Sequence, residues 1–111
     1  MDELKKQLQP LFDKYVCDSD KGAGTFRRKA VQAIVNHVNA LLNGDAVWGD
    51  VYGMVEALAE FWCSRSSDIR GPAHDFKMDL LRFLQKFLAG KVDKLTEKVI
   101  EQDIEVAYIP D

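Results

Sequence analysis

The sequence predicts an all-α fold, a compact antiparallel bundle of four to five helices with short loops and an extended C-terminal arm. Three observations carry this. Apolar residues recur at helical spacing through most of the chain. Turn-forming clusters interrupt that pattern at Gly22-Ala23-Gly24, Asn43-Gly44-Asp45, Ser64 to Gly71, and Gly90. Alternation of the strand type is confined to the last residues.

The first helix is expected over residues 2–17. Leu4, Leu8, Leu11, Phe12, Tyr15 and Val16 fall on one stripe. Pro10 interrupts it, at about 3 kcal/mol for a proline in a helix interior. The helix is therefore expected to start near Pro10 or to be kinked there, with two pieces or a kink favoured.

The second helix is expected over residues 25–43, with Thr25 as N-cap. Val31, Ile34, Val35, Val38, Leu41 and Leu42 form its inner stripe, and Arg28, Lys29, Gln32, Asn36, Asn39 and Asn43 its outer face. Gly44 supplies the left-handed residue that ends helices. Asp45 then caps a third helix over residues 46–64, with Val47, Val51, Met54, Val55, Leu58, Phe61 and Trp62 inward. So short a turn makes helices two and three antiparallel neighbours.

The fourth helix is expected over residues 72–89, with Pro72 at its permitted first position. Phe76, Leu80, Leu81, Phe83, Leu84, Phe87 and Leu88 give it a wide apolar face. Gly90 ends it. A weaker fifth helix is expected over residues 91–102, with Val92, Leu95, Val99 and Ile100 inward. Residues 103–111 partly alternate and read as the extended arm.

The 111 residues suffice for one domain, 1–111. With 47% hydrophobic residues the chain is not a disordered tail. The longest uncharged stretch, Ala30 to Gly44, holds Gln32, Asn36, His37, Asn39 and Asn43, so no membrane span is expected. Met1 to Lys6 lacks an apolar run behind its charges, which is unlike a signal peptide. The expected location is cytoplasmic, with Cys17 and Cys63 as unbridged thiols and Cys63 in the core.

Catalytic and metal-binding patterns are poor. His37 and His74 have no ligand type three or four residues on, and neither cysteine has zinc spacing. Glu56 and Glu60 lie one turn apart, but a di-metal bundle needs Glu-x-x-His, which is absent. Ser64, Ser66 and Ser67 have no nucleophile motif around them. The expectation is no enzyme, no cofactor and no metal.

Two features remain. Gly49, Gly53 and Ala57 are four apart and line one ridge of the third helix. A small-residue ridge lets another helix backbone approach closely. Packing inside the monomer is the first reading. A self-associating interface and a helix broken so that Asp50 is the true cap are the others. Trp48 and Tyr52 flank the ridge as anchors if exposed.

The second feature is charge segregation. The net charge of −3 hides blocks of +2 over residues 1–30, −4 over 31–60, +2 over 61–90 and −3 over 91–111. Internal pairing, with Arg27, Arg28 and Lys29 beside Glu56 and Glu60, is weighed above an acidic face for a basic partner.

The expected function is a non-catalytic protein-binding regulator, inhibitor or adaptor that occludes a partner surface and forms a homodimer. Its expected site is Trp48, Gly49, Tyr52, Gly53, Glu56 and Glu60. One alternative is an anion or nucleic-acid site at Lys21, Arg27, Arg28 and Lys29, where a glycine-rich turn precedes a helix N-terminus. The acidic pI of 5.3 weighs against nucleic acid. A small helical-bundle metal protein or enzyme is the second alternative.

Overall fold

In the computed structural model, residues 2–17, 21–64 and 70–108 are described, with side chains at all of these except 70–72 and 108. Among the described residues there are five helices: α1 (Asp2–Tyr15), α2 (Ala23–Leu42), α3 (Trp48–Cys63), α4 (Arg70–Leu88) and α5 (Lys94–Tyr108). Central α3 and α4 pack on each other; α2 packs on α3, α1 on α2 and α4, and α5 on α4 and α3. The molecule is a slab of 41 × 35 × 20 Å, two helix diameters thick.

Helix α1 is continuous through Pro10 rather than two pieces. Pro10 lies on the exposed side. Leu4, Leu8 and Phe12 on the inner side are fully buried. Each such side chain contributes about 1.5–3 kcal/mol, which together outweighs a proline penalty of about 3 kcal/mol. Pro10→Ala restores the missing amide at an exposed position. Urea unfolding is expected to show a gain of about 1–3 kcal/mol, the upper figure being the full penalty.

Helix α2 starts two residues before the expected Thr25. Its cap is Gly22 in the left-handed region (φ 80°), and no side chain caps it. Ala23 and Phe26 are buried, so packing sets this end of the helix. Its other end is as expected. Gly44 (φ 82°) lets the Gly44 amide donate to Leu41 O at 3.1 Å and the Asp45 amide to Ala40 O at 2.8 Å. This pair of bonds satisfies carbonyls the helix leaves open.

Asp45 does not cap α3. The Asp50 carboxylate does, accepting from the Val47 amide at 3.0 Å. The helix thus begins at Trp48, and Val47 is 66% exposed instead of inward. Phe61 also faces outward, stacked on Phe26 at 5.9 Å. Helix α4 begins at Arg70, two residues before Pro72, and Gly90 (φ 78°) follows its end as expected.

The extended arm is not formed over residues 103–108, which continue α5 to Tyr108. Ile100, Ile104 and Ala107 recur at helical spacing against the core, and burial of that stripe holds the segment helical. Residues 109–111 lie outside the described residues. At its start, α5 is capped by Asp93, which accepts from the Thr96 amide at 2.7 Å. That bond holds the Asp93 carboxyl below the usual carboxylate range. Leu95 and Val99, expected inward, are exposed.

The C-terminal end of α1 is where α2, α3 and α4 meet. Its last carbonyls would otherwise lack donors. Trp62 Nε1 donates to Tyr15 O at 3.2 Å, and Arg27 Nη2 to Val16 O at 2.8 Å. Tyr15 stacks on Phe76 at 4.7 Å, and its hydroxyl donates to Asp79. Lys14 pairs with the same Asp79 oxygen at 3.3 Å.

Burial raises the Tyr15 phenol well above its usual range, helped by the bond to Asp79. For Asp79, burial pulls upward, but the hydrogen bonds from Tyr15 and Lys14 and the charges of Lys14 and Arg82 hold it below the usual range. Asp79 therefore stabilises the fold above the unfolded carboxylate value of about 3.9, and that contribution is lost as pH falls. Tyr15 stabilises it below about 10, lost as pH rises further. Melting temperature against pH is expected to be flat from about 4 to about 8.5, above which the raised Cys63 thiol and then Tyr15 lose their contributions. In Tyr15→Phe the alkaline fall should shrink.

Candidate functional site

The ridge residues Gly49, Gly53 and Ala57 are all exposed. A Cβ built at Gly49 or Gly53 meets nothing within 4 Å. The ridge therefore does not pack against α2 or α4, contrary to the first reading of the sequence. Helix α3 turns the opposite face inward, through Val51, Val55, Ala59 and Trp62. Gly49 also lies in the first turn, where a helix tolerates it; only Gly53 is interior.

Beside the ridge runs a groove of about 630 Å³ between α2 and α3. Its sides are Asn36, His37 and Ala40 from α2, Ala46 from the turn, and Gly49, Asp50, Gly53 and Met54 from α3. The Schellman turn at Gly44 fixes the spacing of its two walls at one end. His37 Nδ1 lies 2.8 Å from Ala33 O. A carbonyl only accepts, so Nδ1 carries a proton. No Lys or Arg occurs between residues 31 and 60, whereas Asp45, Asp50, Glu56 and Glu60 do.

The expected site residues divide. Gly49, Gly53 and Glu60 share the exposed side of α3. Trp48 does not join them. It is 3% exposed, and its buried Nε1 finds no acceptor among the described residues. As the first residue of α3 it is drawn into the core, so it is no surface anchor. Tyr52 is half-buried against the core, and burial raises its phenol, with Glu56 and Asp103 adding to the effect. Glu56 pairs with Lys77 of α4 at 3.6 Å. Asn36, Ala40, Ala46 and Met54 were not singled out from the sequence. In the sequence Asn36 belongs only to the amide-rich outer face of the second helix, and Met54 only to the inner stripe of the third.

The basic cluster is also divided. Arg27 donates to Val16 O and pairs with Asp13 at 3.5 Å, bracing α2 against α1. The expected pairing of this cluster with Glu56 is replaced by Arg27 with Asp13 and Glu56 with Lys77. Arg28 and Lys5 line a smaller pocket of about 250 Å³, while Lys21 and Lys29 are exposed elsewhere.

Family models, curated proteins and solved structures offer no match to this chain.

Among the described residues no three His, Cys, Asp or Glu side chains are grouped to hold a metal. Cys63 is buried, which pushes its thiol up, and Cys17 is exposed; no disulfide joins them. Ser66 and Ser67 lie outside the described residues. Among the described residues no helix is long and apolar enough to cross a membrane.

Proposed function

We propose that this chain is a non-catalytic protein-binding module whose α2/α3 groove seats a helix bearing Lys or Arg from another protein. It would act as a regulator, inhibitor or adaptor by covering that helix. The observation that carries the reading is the open space over Gly49 and Gly53 along the groove. Glycine in a helix interior is unfavourable by about 1 kcal/mol against alanine. Among the described residues, no side chain needs the room that Gly53 leaves. A second helix backbone would use it.

Charge supports the choice of occupant. The groove region has acceptors and carboxylates and no cation of its own between residues 31 and 60. Acidic rims steer basic partners and reject acidic ones. Because the groove is already open and its walls are helices, little rearrangement is expected on binding.

The test uses two labelled amphipathic helical peptides of the same apolar pattern, one flanked by lysines and one by glutamates. Fluorescence polarisation should show binding of the lysine peptide, weakened by salt and lost in Gly53→Leu. Equal binding of both peptides, or binding unaffected by Gly53→Leu, rejects the groove as the site.

A further inference from the structure

We infer that the outer face of α5 pairs with α5 of a second copy of this chain, antiparallel, across a two-fold axis. This surface is separate from the groove, and the inference does not rest on the reading above. Leu95 is 75% exposed, Val99 39% and Val106 68%. With Gln102 they fall at spacings of four, three and four residues, the seam of a two-helix contact. The opposite stripe of α5, Ile100 and Ile104, is buried against the bundle. Thus α5 is apolar on two faces, and α3 and α4 use only one.

Charge identifies the occupant and its direction. The first half of α5 carries the cations Lys94 and Lys98 with Glu97. The second half carries Glu101, Asp103 and Glu105 and no cation. A parallel pair would set the acidic halves against each other. An antiparallel pair sets each acidic half against the half bearing the lysines. The seam is consistent with this. Centred between Ile100 and Glu101, Leu95 meets Val106 of the second copy and Val99 meets its Gln102. Lys98 then lies beside Glu105 of the second copy, twice over by symmetry. Gln102 at one seam position, opposite Val99 of the second copy, lowers affinity.

The same comparison moves self-association away from the glycine ridge. Two copies meeting there would bring Asp50 and Glu60 of each against the like groups of the other.

Leu95 to Val106 spans about 16 Å at 1.5 Å per residue. A two-helix contact of that length is at the small end of interfaces, so the dimer should be weak and concentration-dependent. Sedimentation equilibrium of the full chain should show the mass rising above 12.6 kDa toward its double between about 10 µM and 1 mM. Leu95→Glu and Val106→Glu, both at exposed positions, should each weaken the dimer at least tenfold with helicity unchanged by circular dichroism. Lys98→Glu should weaken it, and Lys98→Glu/Glu105→Lys should restore it. Gly53→Leu should leave it unchanged. A wild type that stays at 12.6 kDa throughout overturns the inference. So does a dimer indifferent to Leu95→Glu, or one that the double charge exchange fails to restore.

Discussion

Gly53→Leu is expected to yield a protein more stable than the wild type that no longer binds a basic helix. The two effects have separate causes. Gly53 has ordinary helical backbone, and a Cβ there meets no atom within 4 Å among the described residues, so a side chain can start there without strain. Leucine gains most of the glycine-to-alanine difference in helix propensity, about 0.8–1 kcal/mol. In a chain of this size that raises the melting temperature by about 4 °C. In the complex the new side chain stands where the incoming backbone must lie. Overfilling a packed contact costs about 1–3 kcal/mol, which is about 5- to 150-fold in affinity. Gly53→Ala should show the stabilisation with a smaller loss of binding. Thermal melts and polarisation titrations on the same samples check both halves. A Gly53→Leu protein that unfolds would mean that the ridge is covered from within.

The second large effect concerns stability alone. Phe76→Ala is expected to remove about 3–5 kcal/mol, a large part of the 5–15 kcal/mol typical of a domain. Phe76 is fully buried. Phe12 meets it edge-on at 5.5 Å, and Tyr15 stacks on it at 4.7 Å. Its loss therefore opens a cavity at the point where α1 is held to α4. It also frees Tyr15 from the ring that presents its hydroxyl to Asp79. Phe61→Ala is the contrast. Phe61 is 56% exposed with one stacked neighbour, Phe26, and about 1 kcal/mol is expected. Urea unfolding of the two variants side by side measures the difference. Equal losses would contradict the burial pattern.

Much of the fold was legible in the residues. Helix class follows from the 3.6-residue recurrence of apolar side chains, and Gly44 and Gly90 mark two helix ends. What misled was local chemistry that packing overrides. Pro10 reads as a break, yet Leu8 and Phe12 on either side are buried deeply enough to carry the helix through it. The stretch from Asp103 to Tyr108 reads as strand-like because Ile104 and Val106 alternate with acids. Only when Ile104 is seen above Ile100 on the core does the helix prevail. Asp45 and Thr25 read as caps from their residue type, but Asp50 and Gly22 occupy those roles. Capping side chains compete over a few residues, and the choice among them depends on where Trp48 and Ala23 must point.

The candidate site was legible in part. Its glycine spacing and acidic block are properties of the sequence. Whether the ridge faced inward or outward was not, since periodicity defines a stripe on a helix but not what lies against it. Trp48 shows the same limit, because an aromatic beside a glycine ridge can be an anchor or a core residue with equal local logic. Periodicity alone established the helical class and most of the inward-facing side chains, and the order of residues the separation of charge along the chain. Only the tertiary structure decided that α3 turns Trp48 into the core and leaves Gly49 and Gly53 open. It alone showed that Arg27 braces α1, and that α5 keeps a second apolar face exposed. The physical reason is that helical pattern is set by neighbours three and four residues away, whereas exposure is set by which other helix arrives.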